Sequence, residues 1–338
     1  MLSAVYGAIA ARRRSFYQSH PDALRRLARP VVSIGALAAG GRGKTPVAAL
    51  VARLLRDAGE RPAILSRGYG RRTTADGVVV VRAGARDPAP VDLAGDEPRM
   101  LAEQVDATVL VSEDRFVAGR LAETRFGATV HILDDGFQHL HLARTVDLLL
   151  IDPADPDRRT LPFGPLRERP DTARLADALI VDSPDEEAAA SVAERLGAGN
   201  WFRLARSNAP PRVVAAGDGS APTPESVPAP GARVVAAAGI AAPERFTATL
   251  RDAGYDVAET VAFADHHRFT PGDIQKLAAR AQAAGADAVL TTEKDAVRLA
   301  PMAPFPVTLA AVPLRVAVDP AERFREWLLA RVAAGGGE

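Results

Sequence analysis

The chain of 338 residues contains no cysteine, so neither disulfides nor thiolate metal sites contribute to its fold or chemistry. No apolar run approaches the roughly 20 residues of a membrane-spanning helix. The N-terminus also lacks the order of a secretory signal, which places charge first and an apolar core second. Charge of one sign is not in excess: 42 Lys and Arg balance 42 Asp and Glu, which argues against a dedicated nucleic-acid binder. Lysine is scarce, with only Lys44, Lys276 and Lys294 against a large excess of arginine. In such a chain, a lysine inside a glycine loop indicates that a compact ammonium is needed there. Lys276 reads as an ordinary helix-surface residue. What remains is the composition of a globular protein long enough for about two domains.

The strand pattern Pro30-Val31-Val32-Ser33-Ile34-Gly35 leads into Gly40-Gly41-Arg42-Gly43-Lys44-Thr45, and a helix pattern opens at Pro46. Strand, glycine loop and helix in that order form a phosphate cradle. Glycines let backbone N–H groups converge on phosphate oxygens, Lys44 reaches the β and γ phosphates, and the Thr45 hydroxyl offers a Mg²⁺ ligand. Pro46 suits the first helical turn, where its missing N–H is not needed. The usual G-x-x-x-x-G-K-[ST] spacing asks for glycine where this chain has Ala38.

Apolar runs at 63–66, 78–81, 108–111, 130–133 and 147–151 alternate with helical patterns, as expected for a three-layer α/β domain with a parallel sheet buried on both faces. Residues 1–206 are therefore expected to form a P-loop NTPase-like domain. Residues 207–230, rich in proline, glycine, serine and alanine, are expected as a linker, and 231–338 as a smaller α/β domain. In that second unit, helices are expected near 243–253 and 271–284 and a strand at 288–290, while a last amphipathic helix near 319–333 suits either domain. At the N-terminus, Leu2, Val5, Tyr6 and Ile9 form an apolar stripe followed by Arg12, Arg13, Arg14, Arg25, Arg26 and Arg29. That pattern suits either a helix resting on an anionic membrane surface or one packed on its own domain.

Several polar clusters fall at strand ends. Asp134-Asp135-Gly136 closes an apolar strand, the Walker B arrangement that places an aspartate on Mg²⁺. Ser66-Arg67-Gly68-Tyr69-Gly70 follows the second strand, at the carboxyl edge where open α/β sheets bind ligands; taken alone it reads as a surface loop. Gly95-Asp96-Glu97-Pro98 opens a helix with two acids, with Asp96 either an N-cap or a general base or metal-shell carboxylate near the phosphate loop. Asp265-His266-His267 brings a possible Asp–His pair, and two successive histidines in a strand face opposite ways, so one at most serves the site. Arg167, in a rigid proline-rich loop with Glu168, and Arg115 are candidates to stabilise transferring phosphate, or else salt-bridge partners. Thr291-Thr292-Glu293-Lys294-Asp295 places polar residues at the second sheet's edge.

Taken in order, these segments resemble the tetraacyldisaccharide 4'-kinases, the lipid A 4'-kinases of Gram-negative bacteria. The carriers are residues 40–46, S-R-G-Y-G at 66–70, G-D-E-P at 95–98, D-D-G-F-Q-H at 134–139, G-P-L-R-E at 164–168, D-H-H at 265–267 and T-E-K-D-A-V at 292–297. The resemblance implies Mg²⁺-dependent transfer of the γ-phosphoryl group of ATP to the 4'-hydroxyl of an acylated glucosamine disaccharide. It also implies two α/β domains with the site between them, and peripheral association with the cytoplasmic face of the inner membrane. No obligate protein partner is evident. By resemblance, Gly40, Gly41, Gly43, Lys44, Thr45 and Pro46 bind nucleotide, and Thr45, Asp134 and Asp135 serve the metal. Asp96 and His266 form the dyad that activates the sugar hydroxyl, with Lys44 and Arg167 on the phosphoryl group. Arg67, Tyr69, Glu97, Arg115, Gln138, His139, Glu168 and Asp265 line the site. Ala36, Ala38 and Arg42 depart from the family pattern. Two other readings share the glycine loop. A GTPase-like metallochaperone needs an N-K-x-D motif, and asparagine precedes none of the three lysines. A soluble P-loop ATPase or ligase predicts no dependence on a lipid acceptor.

Overall fold

The computed structural model describes residues 2–69, 71, 77–85, 87–217, 223 and 226–336. Gly70 and, in the proline-rich stretch, Ala221, Pro222 and Pro224 lie outside the described residues. The strands, in chain order, are β1 (Val31–Ala36), β2 (Pro62–Ser66), β3 (Val79–Arg82), β4 (Thr108–Val111), β5 (Val130–Asp134), β6 (Val146–Ile151) and β7 (Ala178–Asp182). They continue with β8 (Trp201–Asn208), β9 (Arg212–Ala215), β10 (Arg233–Ala238), β11 (Asp256–Ala262), β12 (Ala288–Thr292), β13 (Leu309–Val312) and β14 (Leu314–Asp319).

Nine strands form the larger sheet in the order β14-β8-β7-β6-β1-β5-β2-β4-β3. The strands from β8 to β4 run parallel, and the two edges, β14 and β3, run antiparallel to their neighbours. β1, β5 and β6 are buried along their whole length, which is why they are written as unbroken apolar runs rather than alternating ones. The helix Lys44–Asp57 lays Val47, Ala48, Val51, Ala52 and Leu55 into the core on one face. On the other face, Ala118 and Ala122 of the helix Arg115–Phe126 pack against Leu65, Leu110 and Leu133. The second sheet has five strands in the order β11-β10-β12-β13-β9, with only β9 antiparallel.

The smaller sheet's helices, Pro243–Asp252 and Pro271–Ala284, lie where their periodicity places them. Two segments do not follow the expected division. Residues 207–230, expected as a linker, contain β9, because Val213 and Ala215 find apolar partners on the two faces of the second sheet. The chain from Leu314 onward, its first residues expected with the smaller unit and its last helix suited to either, returns to the larger sheet. There β14 pairs with β8 along its whole length, and the helix Ala321–Gly335 buries Phe324, Leu328 and Val332 in the larger core. Phe324 meets Phe202 of β8 edge to face at 5.0 Å, a contact that fixes the amphipathic last helix on the first unit.

Candidate active site

The glycine loop joins β1 to the helix that opens at Lys44. Gly43 caps that helix at φ 83°, and a Cβ there would stand 2.9 Å from the guanidinium of Arg206. Arg206, which the sequence did not single out, donates to the Arg42 carbonyl at 2.9 Å and pairs with Asp182 at 2.8 Å, bracing the loop from β8. Arg42 is anchored in turn on Asp152 at 2.5 Å and Asp155 at 3.0 Å. Ala38 has a structural reason. It is fully buried and pairs with Leu166, while Arg167 N donates to the Leu37 carbonyl. Its methyl packs in the cluster that holds Leu37, Phe137 and Leu166, and Ala38 does not adopt the positive φ that would demand glycine. The same short ladder carries Arg167 to the phosphate loop.

Arg167 Nη1 donates to both oxygens of Asp135 at 2.8 Å and to Gln138 Oε1 at 3.2 Å. Lys44 Nζ donates to the Gly40 carbonyl at 3.2 Å and lies 3.6 Å from Asp135. Burial alone raises the Asp135 pKa, but Lys44 and Arg167 outweigh it and hold the carboxylate below its usual value. Its neighbour Asp134 behaves in the opposite way. Burial, with the charges of Glu97 and Asp135 added, pushes Asp134 up to about 7, and its Oδ1 is buried without a hydrogen-bond partner. An orphaned carboxylate oxygen beside a phosphate loop fits a hard divalent cation, and the hydroxyl of nearly buried Thr45 supplies the same oxygen chemistry. Among the described residues no group of three or more His, Cys, Asp or Glu converges to form an all-protein metal cage. A Mg²⁺ held mainly by phosphates and water needs none.

Asp96 opens the helix Asp96–Gln104 and is 4% exposed. It is not the N-cap. Gly95 holds that place at φ 85°, where a Cβ would lie 2.7 Å from the Tyr69 carbonyl oxygen. Asp96 Oδ2 meets His266 Nδ1 at 2.8 Å, an interaction that joins the two α/β units. Lys294 Nζ stands 3.0 Å from His266 Nε2, and an ammonium has no lone pair, so Nε2 accepts and Nδ1–H donates to Asp96. Burial raises the Asp96 pKa, but the His266 hydrogen bond and the charges of Lys294 and Arg298 bring it below the ordinary value. Asp135 and His266 are the non-glycine residues with positive φ among those described, both at 57°. Such backbone is retained only where surrounding structure over-determines it, and here both residues sit in the site.

The histidine pair separates as expected, though by a turn rather than a strand: His267 leaves the site and meets Asp273 at 3.1 Å. Asp265 contacts Lys294 at 3.1 Å, and the exposed Tyr69 ring meets His266 edge on at 4.9 Å. Arg67 is exposed in the same loop. Glu97 lies 3.6 Å from Lys294 and also raises Asp134, so it spans the Asp96–His266 pair and the strand-end carboxylate. Arg115 is buried and meets His139 Nδ1 at 3.3 Å. Burial, then the positive charge of Arg115, lowers His139 to about 3, so its ring is neutral. Glu168 is engaged by the N-terminal helix rather than by the Asp96–His266 pair. Arg14 donates to its two oxygens at 2.6 and 2.7 Å, and Gln138 donates to it at 3.1 Å. Lys294 and Arg298 are residues of this cluster that the sequence reading did not assign; the T-E-K-D-A-V run, which holds Lys294 and ends one residue before Arg298, was the signal.

The N-terminal helix Leu2–Ser19 attaches by its small and polar face. Ser3 and Thr160 exchange hydrogen bonds at 2.8 and 2.6 Å, Gly7 packs on Arg169, and Arg14 is buried. Its apolar residues point outward, with Leu2 60%, Val5 51% and Ile9 65% exposed. Phe163 lies beside Ser3 and extends this apolar surface. Among the described residues no helix is long and apolar enough to cross a membrane.

A family model described as tetraacyldisaccharide-1-P 4'-kinase matches residues 1–333. A tetraacyldisaccharide 4'-kinase of Syntrophus aciditrophicus is 37% identical over 336 residues, covering 96% of this chain and 89% of that protein. The enzyme of that name from Geobacter metallireducens is 40% identical over 333 residues, covering 94% and 96%. A crystal structure of LpxK from Aquifex aeolicus in complex with ATP superposes with a TM-score of 0.76 at 29% identity, covering 98% of this chain and 97% of that one. With the strand-end aspartates beside the glycine loop and tied through Glu97 to the interdomain Asp–His pair, and with these matches along nearly its whole length, the chain belongs to the tetraacyldisaccharide 4'-kinase family.

Proposed function

We propose that this protein transfers the γ-phosphoryl group of ATP to the 4'-hydroxyl of an acylated glucosamine disaccharide 1-phosphate at a membrane surface. The observation that carries the reading is the Asp96–His266 hydrogen bond, which builds a base from both α/β units beside the phosphate loop. A sugar hydroxyl is a poor nucleophile, and proton removal by a positioned base is the help it needs. His266 Nε2 takes the hydroxyl proton while the oxygen forms its bond to phosphorus and ADP leaves. Asp96 holds the ring by Nδ1–H and offsets the imidazolium charge. Lys44 and Arg167, which neutralise Asp135 in this structure, face the phosphates once the triphosphate occupies the loop. Thr45, Asp134 and Asp135 would hold Mg²⁺, which when bound neutralises phosphate charge.

The outward apolar face of residues 2–16 and the arginines beside it suit the interface of an anionic bilayer, where an acylated acceptor resides. The test is transfer of labelled γ-phosphate from ATP to a tetraacylated disaccharide 1-phosphate in mixed micelles. Labelled lipid that depends on both acceptor and Mg²⁺ is expected. ATP hydrolysis with no labelled lipid would instead favour an ATPase without a lipid acceptor.

A further inference from the structure

The base implied by the function above is already occupied in this structure. Lys294 Nζ lies 3.0 Å from His266 Nε2, the atom that must accept the sugar proton. The lysine is one of three in the chain, stands at the start of the helix Glu293–Leu299, and is held by its neighbours. Besides Nε2, its ammonium lies 3.1 Å from Asp265, 3.6 Å from Glu97 and 4.0 Å from Asp96. An ammonium carries no lone pair, so towards Nε2 it acts only as a donor.

We infer that Lys294 is a gate on the catalytic base: it caps Nε2 until a bound sugar hydroxyl displaces it, and so suppresses activation of water and wasteful hydrolysis of ATP. This rests on the kinase reading. A water molecule entering the cleft must break a charge-assisted hydrogen bond and brings no other binding energy to do so. The acceptor disaccharide brings the contacts of its whole headgroup, and part of that energy displaces the ammonium. The displacement is made easier by the second seat. Asp265 and Glu97 keep Lys294 paired after it leaves Nε2, so no charge is stranded. When the hydroxyl has replaced it, the O–H bond breaks, the proton passes to Nε2, and the O–P bond forms as the bond from phosphorus to the ADP oxygen breaks. Lys294 exchanges no proton.

The test measures, in the full-length protein, ATP hydrolysis without acceptor and transfer to the acylated disaccharide in the same micelles, for wild type, Lys294→Met, Lys294→Gln and Lys294→Arg. Lys294→Met removes the donor at similar length and is expected to raise the ratio of hydrolysis to transfer by about ten-fold, the effect of losing one charge-assisted hydrogen bond. Lys294→Arg should restore the low ratio, and Lys294→Gln, a neutral donor, should lie between. A ratio equal to wild type in Lys294→Met and Lys294→Gln, whether both rates hold or fall in parallel, overturns the gate and leaves the kinase reading standing. Absence of labelled lipid with wild type removes both.

Discussion

Replacing Asp96 by asparagine keeps the shape of the dyad and reverses its chemistry. Asp96 Oδ2 accepts from His266 Nδ1 at 2.8 Å, and Oδ1 accepts from the Glu97 backbone N–H at 2.9 Å. One amide cannot serve both donors. If its oxygen stays on Glu97 N, its NH₂ faces Nδ1, and the ring must then carry its proton on Nε2. That proton points at the Lys294 ammonium 3.0 Å away and removes the lone pair that the reaction needs. The charge that stabilises the imidazolium is lost as well. Loss of general-base catalysis lowers turnover by about 10²- to 10⁴-fold, or roughly 3–5 kcal/mol of barrier. ATP affinity should change by less than about three-fold, because the contacts expected for the triphosphate come from Lys44, Thr45 and the loop backbone. Stability should also fall, since Arg298 at 3.8 Å and Lys294 at 4.0 Å lose a buried counter-charge. The measurements are single-turnover transfer of labelled phosphate with saturating ATP, and calorimetric titration of ATP into the same preparation. Turnover within a factor of about three of wild type, with nucleotide binding intact, refutes the assignment of the base.

Asp134 makes a pH-dependent prediction. Its folded pKa of about 7 exceeds the ordinary aspartate value of 3.8, so the folded state binds more protons than the unfolded one and stability falls as pH rises between these values. In metal-free buffer, Asp134→Asn should therefore melt above wild type at pH 8 or so, and the two should converge near pH 4, while transfer is lost throughout; a wild type that melts higher at the alkaline end contradicts this. Arg14 and Glu168 form a buried bidentate pair, 8% and 5% exposed, and Arg14→Met strands the carboxylate, so unfolding in urea should show a loss of about 3–5 kcal/mol. The double variant Arg14→Met with Glu168→Gln should recover part of that loss, and additive losses would deny the coupling. Ile9→Asp places a charge on the outward face of the N-terminal helix and should weaken binding to anionic vesicles about ten-fold or more, with ATP affinity unchanged. Equal sedimentation of wild type and variant with such vesicles would exclude this face as the contact.

How much of this was legible in the sequence depended on whether a feature is local. The glycine loop, the buried strand β5 ending in two aspartates, and the helices at 243–252 and 271–284 are written in short stretches whose period or residue types have one reading. β14 was missed because its apolar residues alternate over only Leu314, Val316 and Val318, the pattern of a half-buried edge strand. Its partner β8 lies more than a hundred residues earlier, and nothing local names it. β9 was hidden among prolines for the same reason.

Within the site, residue types were legible and partners were not. Glu168 carries a charge that suits a cleft, yet its two oxygens are occupied by Arg14 from the first helix. The apolar stripe of that helix left open whether it packs inward or lies outward. Ser3, Gly7 and Arg14 decide it, because the small and polar face makes the fitted contacts and leaves Leu2, Val5 and Ile9 without protein to cover them. Arg14 also lies 4.1 Å over the ring of Phe137, in the loop that carries Asp135 and Gln138. From Gln138 the contacts continue through Arg167 to Asp135 and Lys44. The helix whose outward face we propose meets the membrane is thus linked, through the buried Arg14–Glu168 pair and then Gln138 and Arg167, to the residues proposed to face the transferring phosphate. On that proposal, this chain of contacts would set the height of the phosphate loop above the bilayer, which matters when one substrate is dissolved and the other is held in lipid.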